Sequence, residues 1–344
     1  MKSFYWLITL SLLATNLFSA GQGRAKRDSI AIFKDDKPLN VTLITDIKML
    51  QKNKFDMKYQ NAVFTIKLPD SSTVTEEILI QTRGKARIAI CDMPSMRLNF
   101  RTPSSPNLSF LKEIKLVNTC ENRTDYGQLL IKEYLVYKIY NLLTEMSLKV
   151  RLLNLTYQDI KGAKKPFTQY AFLLEDIDDM AARNGCKECE IKNMHDEHSN
   201  RQQMTMVSVF QYMIGNTDWS VMATHNIKMM RPKKDTLAPP YIIPFDFDYG
   251  GLVNAEYAVA PANLPIESVR DRLYRGYPRT MEELQATLQI YNQQKEKIYA
   301  LINNCEQLQS RHRKDMIGYL DDFYKTINNK KEVQKVFIDN ARPL

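Results

Sequence analysis

Between Asn40 and Val117, apolar residues recur at every second position in five separate runs: 41–44, 62–68, 78–82, 96–100 and 113–117. That period belongs to strands with one buried face. Pro69-Asp70-Ser71-Ser72 and Pro103-Ser104-Ser105-Pro106 punctuate them as turns. Several strands ahead of any clear helix predict an antiparallel N-terminal sheet. The period then changes. Over 126–145, Leu130, Ile131, Leu135, Ile139, Leu142 and Leu143 recur every three to four residues and predict a helix with an apolar stripe. Alternation returns over 152–157 and 167–174, predicting two more strands. Beyond Glu175 helical spacing dominates, at 202–214, 266–273 and 280–327, while 184–200 reads as a polar loop. The acids between Glu175 and Asp179 stand where carboxylates favour a first helical turn. The expectation is an α+β chain, with residues 38–175 strand-rich around one helix and 176–344 mainly helical.

Composition adds a compartment. Residues 1–20 read as a signal peptide, with Lys2, an apolar stretch over 4–18 and small residues Ser19 and Ala20. Residues 21–37 read as a polar, mobile leader. No later run is long and apolar enough to span a bilayer. The mature chain is therefore expected to be exported, to a periplasmic, cell-surface or extracellular site. The formal net charge of +9 favours acidic or phosphorylated partners only in general terms. The basic run Arg311-His312-Arg313-Lys314 lacks interleaved aromatics, so a solvated helix face is expected rather than a nucleic-acid surface. Export favours disulfides, and five cysteines leave at least one thiol over. Cys91 and Cys120, both at strand ends, are the first candidate pair. Cys186 and Cys189 read as a small disulfide loop; with His195 and His198 they also supply zinc-type ligands, in a spacing that matches no zinc signature.

The chemistry concentrates between Gly215 and Gly251. Its ends read Gly215-Asn216-Thr217-Asp218-Trp219-Ser220 and Pro244-Phe245-Asp246-Phe247-Asp248-Tyr249-Gly250-Gly251, with His225-Asn226 between them. Asp246 and Asp248 are two apart, so on an extended backbone both carboxylates project to one side. Two anions that close are held ionised by a divalent cation, and Asn226 adds a neutral oxygen of the kind magnesium accepts. Asp218, in a separate turn, is placed to accept a hydroxyl proton. Gly250-Gly251 allows a sharp turn after the acids.

The order Asn-x-Asp, His-Asn, then Pro-aromatic-Asp-aromatic-Asp resembles the atypical kinases related to spore-coat protein H, the CotH kinase-like family. The resemblance covers roughly residues 75–325 and implies a two-lobed, protein-kinase-like fold. It implies magnesium- or manganese-dependent phosphoryl transfer from ATP to a protein serine or threonine. Asp218 would be the catalytic aspartate, and Asn226, Asp246 and Asp248 the metal ligands. Thr82-Arg83-Gly84-Lys85-Ala86-Arg87 resembles the family's early Arg-Gly segment, so Arg83, Lys85 or Arg87 would meet phosphates; it reads equally as a basic surface turn. Glu133 stands where such a fold places the acid that orients a basic residue on a nearby strand, with Arg97 or Lys115 as its partner. A Gly-x-Gly-x-x-Gly loop is absent. Two other classes compete: a kinase-like binding protein without turnover, and a metal-dependent phosphoester hydrolase.

Overall fold

Each alternating run becomes a strand. A computed structural model describes residues 32–68, 71–84, 86–101, 108 and 111–343. The expected signal peptide, the turns at 69–70 and 103–106, and Lys85 lie outside these residues. In chain order come β1 (Leu39–Thr45), α1 (Ile47–Lys52), β2 (Gln60–Lys67), β3 (Thr73–Thr82), α2 (Ala86–Ile90), β4 (Met96–Asn99), β5 (Glu113–Asn118), α3 (Thr124–Leu143), β6 (Val150–Asp159) and β7 (Phe167–Leu174). The inward positions, among them Val41, Leu43, Phe64, Ile66, Ile80, Leu98 and Leu116, fill one continuous core.

These strands do not form an antiparallel lobe. They close into a barrel in the order β1-β2-β3-β4-β5-β7-β6. β1 runs antiparallel to β2 and parallel to β6, with Leu39 opposite Leu153 and Thr45 opposite Asp159. This mixed, seven-stranded barrel overturns the two-lobed, protein-kinase-like fold that the resemblance implied. Closure pairs both edges of β1 and removes the open edge that an antiparallel sheet would have left there. The first residues of the described chain are tied in as well. Ile32 and Phe33 are buried in the barrel core, and Asp35 pairs with the buried Arg151.

The helix expected over 126–145 is α3, but it has no solvent stripe. It lies between the barrel and the C-terminal helices, so even Lys132 and Glu133 are buried. After β7 the chain forms α4 (Ile177–Arg183), β8 (Cys186–Cys189), α5 (Arg201–Ile214), β9 (Ile227–Pro232), β10 (Tyr241–Pro244), α6 (Met281–Asn303), α7 (Ser310–Ile327) and α8 (Lys330–Gln334). Asp176 caps α4 by accepting the Asp178 N–H, so the acids at 175–179 do open a helix. β8 lies within the expected loop and joins β9 and β10 in a small antiparallel sheet. Residues 266–273 are turns, not a helix. The Asp271 carboxylate captures the N–H groups of Glu267 and Ser268, and Arg272 donates to the Met213 and Tyr319 carbonyls. Among the described residues, no helix is long and apolar enough to cross a membrane.

Cys91 and Cys120 are bridged, with Cα atoms 4.5 Å apart. Cys186, Cys189 and Cys305 are free thiols. Cys186 and Cys189 are three apart on one strand, which turns their side chains to opposite faces and prevents a small loop bridge. Among the described residues, no group of three or more His, Cys, Asp or Glu residues could hold a metal ion, which removes the zinc reading of 186–198. The Cys91–Cys120 bridge closes a loop with a sequence separation of 29. Replacing both cysteines by serine should lower stability by about 3 kcal/mol. Chemical denaturation with and without reductant checks this: reduced wild type should match the double variant, and equal midpoints for oxidised wild type and variant would refute it.

Candidate functional site

The site is assembled where the β9–β10 hairpin ends and α5 stops. Gly215 ends α5 with φ +66°, and a Cβ there would sit 2.1 Å from the Tyr319 hydroxyl oxygen, so only glycine fits. The next residue, Asn216, is buried. Its amide Nδ2 donates to Gln211 Oε1 at 3.0 Å, and its Oδ1 accepts the Asp218 N–H at 2.9 Å. Asp218 is therefore the end of a side-chain-braced turn. Its carboxylate is about one-third exposed, with Oδ1 2.8 Å from His225 Nε2 and Oδ2 accepting from Asn226 Nδ2 at 3.0 Å. Asn226 Nδ2 also donates to the Asp218 carbonyl at 2.8 Å. Both bonds use the amide nitrogen, which leaves the Asn226 amide oxygen free for another partner.

Pairing of Ile227 with Pro244 sets Asn226 beside Phe245, whose N–H donates to the Asn226 carbonyl at 3.1 Å. The hairpin thus delivers Asn226 and Asp246 side by side. Both adopt left-handed backbone, with φ 51° and 64°. Asn and Asp tolerate this conformation better than other residues with a Cβ, and such residues concentrate at functional sites. Asp246 is therefore not on the extended backbone that the Asp-x-Asp spacing suggested. Its N–H is held by the Tyr137 hydroxyl of α3 at 2.8 Å, while Tyr137 packs on Phe247 with ring centroids 4.7 Å apart. Gly250 and Gly251 have no positive φ. Gly251 is required for clearance, since a Cβ there would lie 2.4 Å from the Val269 carbonyl.

The electrostatics follow from burial. Asp248 is buried and accepts from the Tyr257 hydroxyl at 3.0 Å. Arg87 of α2 reaches between Asp248 Oδ2, at 3.9 Å, and Glu133 Oε2, at 3.5 Å, and also donates to the Asn118 carbonyl at 2.8 Å. Burial alone would pull its guanidinium down, but Tyr257, Glu133, Asp248 and Asp246 together push it above its ordinary value. Glu133 is driven well above the carboxylate range by burial and then by Asp248, against the pull of Arg87. Asp246 is pushed up to about 6, by burial first and Asp248 second. One guanidinium shared among three carboxyls cannot keep all of them ionised, so the cluster is short of positive charge.

One sequence expectation changes here. The partner of Glu133 is Arg87, not Arg97 or Lys115. Arg97 instead pairs with Glu113 at 3.2 Å. Arg97 and Lys115 stand directly opposite each other on the outer face of β4 and β5. Among the described residues, the side chains of Arg83 and Lys115 have neither a hydrogen bond nor an ion pair. Burial pulls both below their ordinary values; Asp246 pulls Arg83 back up, and the Arg83 charge further depresses Lys115. Two cations that depress one another, with Asp246 and Asp176 as partial counter-charges, can take up an anion. Tyr137 and Tyr257 are absent from the sequence reading of the site, and Asn216 enters it only as the first residue of Asn-x-Asp, without a role. Asn216 had a local signal, two residues before Asp218; Tyr257 contacts Asp248 through a turn that no spacing announces.

Asp246, Asp248 and Asn226 carry oxygen donors of the types that a hard divalent cation takes, although among the described residues no group of three or more His, Cys, Asp or Glu residues could hold a metal ion. The three offer the Asp246 carboxylate, which no described side chain bonds, one oxygen of Asp248 and the free amide oxygen of Asn226. Magnesium is commonly held by one or two carboxylates, with substrate phosphates and waters completing its shell. The set is smaller than a dedicated all-protein cage. No family model matches the chain, and no curated protein matches it either.

The raised Asp246 value has a consequence in metal-free protein. The folded state binds the Asp246 proton more tightly than the unfolded chain, so ionisation costs stability. That cost is absent below the ordinary carboxylate value, grows as pH rises and is complete above about 6. With a chelator present, Asp246→Asn should raise the Tm near about pH 8 and leave it unchanged near about pH 4. A variant less stable than wild type at the higher pH would mean that the carboxylate already has a partner.

Proposed function

We infer that this chain transfers a phosphoryl group from a nucleotide to an acceptor hydroxyl, with magnesium or manganese as the cofactor. What supports the reading is one juxtaposition: an acidic pair short of positive charge lies near Arg83, whose charge Asp246 sustains and which in turn depresses Lys115, beside a separately braced, partly exposed aspartate. The resemblance to the spore-coat protein H kinases then lies in the chemistry of the site, and a protein serine or threonine is the acceptor class it suggests. The leader adds export to the proposal, and the Cys91–Cys120 bridge is consistent with it, since disulfides persist in oxidising compartments.

In this mechanism Arg83 and Lys115 hold phosphate oxygens, with Arg97 beside Lys115 on the same face. Asp246, Asp248 and the Asn226 amide oxygen would hold the cation, which when bound neutralises phosphate charge and lets both aspartates stay ionised. Asp218 takes the acceptor's proton as the hydroxyl oxygen bonds to the terminal phosphorus. The bond from that phosphorus to the bridging oxygen breaks, and nucleoside diphosphate leaves. His225 and Asn226 fix the orientation of the Asp218 carboxylate throughout. Arg87 stays with Glu133 and Asp248 and touches no phosphate.

Incubation with γ-labelled ATP and magnesium tests the reading: label on a protein hydroxyl is expected. Release of free phosphate instead would indicate a hydrolase, and binding without either product a protein without turnover. Asp218→Asn should retain nucleotide affinity and lose transfer by about a hundredfold or more. Transfer near the wild-type rate would leave Asp218 a structural residue. Asp246→Ala should abolish the rise in Tm that nucleotide gives only with metal. Equal stabilisation of variant and wild type would remove Asp246 from the metal site.

A further inference from the structure

The described chain leaves nine large apolar side chains exposed, and six of them gather at one end of the barrel. They are Met49, Phe55, Met57, Tyr59, Ile90 and Ile160. The gathering follows from the topology. β1 and β6 run parallel and finish together at Thr45 and Asp159, while β2 begins at Gln60 on the same side. The connections that leave this end are the segment 46–59 and the β6–β7 turn, with α2 beside them. Hydrogen bonds hold the three together: Ile47 N–H to Asp159 Oδ1 at 3.1 Å, Ile160 N–H to the Thr45 carbonyl at 2.9 Å, and Lys54 Nζ to the Cys91 carbonyl at 2.9 Å. Lys164 Nζ also donates to Gln51 Oε1 at 2.6 Å. Phe55, 63% exposed, stands on the short 3-10 helix Lys54–Asp56, and Ile160, 62% exposed, on the β6–β7 turn. Lys54 Nζ stands 5.4 Å from the centre of the Phe55 ring and the Tyr59 hydroxyl donates to Glu113 Oε2 at 3.2 Å, but neither contact covers the apolar surface.

Their surroundings are basic. Lys48, Lys52, Lys58 and Lys165 are exposed on the same segments, and none makes an ion pair within the described chain. Lys161 neutralises Asp46 at 2.6 Å. The exposed acids on this end are Asp56 and Asp92, so positive charge prevails. Apolar side chains on short helices and turns at one end of the barrel, ringed by unpaired lysines, match the two components of an anionic bilayer surface: an acyl layer for the tips and a headgroup layer for the charges. A groove suited to a helix or strand of another protein would instead place apolar residues in its floor. We propose that this end of the barrel docks the protein on anionic lipid membranes, with Phe55 and Ile160 entering the interface and Lys48, Lys52 and Lys58 meeting the headgroups. The docking is peripheral and reversible, and it does not depend on the phosphoryl-transfer reading.

Co-sedimentation of the purified protein with extruded vesicles tests this. Binding is expected to phosphatidylcholine vesicles that contain phosphatidylglycerol, not to phosphatidylcholine alone, and it should weaken as salt rises. Phe55→Ser with Ile160→Ser should reduce the partition coefficient about tenfold or more, while Leu237→Ser, an exposed residue elsewhere, should leave it unchanged. All these side chains are exposed, so the variants should keep the wild-type Tm. Phe55→Trp should give a blue-shifted emission that brominated lipid quenches. Absence of vesicle binding, equal binding to neutral vesicles, or full binding by the Phe55/Ile160 variant would overturn the proposal. So would an acidic polypeptide that binds this face more tightly than the vesicles do. Asp246→Ala should bind vesicles as wild type does, which separates this test from the fate of the catalytic site.

Discussion

The site depends on one buried guanidinium. Arg87 reaches Glu133 and Asp248 from the same nitrogen and anchors on the Asn118 carbonyl with the other. Without it, Glu133 and Asp248 would face each other buried, with Asp246 close by. Removing one member of a buried ion pair commonly costs 3–5 kcal/mol, because the remaining charge is left unmatched. The barrel supplies Arg87 and Asn118, α3 supplies Glu133, and the segment after the β9–β10 hairpin supplies Asp248. A single cation therefore links the three parts of the molecule that converge on the site.

The surrounding structure keeps that cation in place. The five-residue helix α2 carries Arg87 and runs directly into Cys91, whose bridge to Cys120 ties it to the chain leaving β5. The bridge packs with Tyr126 and against Tyr257, and Tyr257 in turn donates to Asp248. So short a helix has little stability of its own, which gives the disulfide a role beyond loop entropy. On the opposite side Tyr137 holds the Asp246 backbone and packs on Phe247. The acids are thus fixed by groups from both the barrel side and α3, while among the described residues the side chains of Arg83 and Lys115 make no hydrogen bond or ion pair.

Local features were legible in the chain. All seven barrel strands appear where alternation placed them, because each buries one face and a period of two follows directly from that. Asp218, Asn226, Asp246 and Asp248 do gather, since they sit at the ends of short, sequence-adjacent elements. What the chain could not display was long-range. Parallel pairing of residues 39–45 with 153–159 leaves no local mark, and it turns an open sheet into a barrel. The same limit hid the Arg87–Glu133 pair: Arg97 and Lys115 lie on predicted strands, whereas Arg87 lies on a short helix that the Cys91–Cys120 disulfide and the Asp92 and Met93 N–H bonds to the Cys120 carbonyl tie to the chain leaving β5. The helix expected over 266–273 failed for another reason. Ile266, Val269 and Leu273 have helical spacing, but Asp271 captures two backbone N–H groups and Arg270 and Arg272 stack on Tyr319.

A double-mutant cycle on Arg87 and Glu133, read by chemical denaturation, tests the central claim most directly. Arg87→Met alone should destabilise the protein by about 3–5 kcal/mol, since it leaves the buried acids uncompensated. Adding Glu133→Gln should recover part of that loss, so that the double variant is more stable than the sum of the single effects by about 1 kcal/mol or more. Strictly additive losses, or an Arg87→Met variant as stable as wild type, would contradict the view that this cation assembles the site.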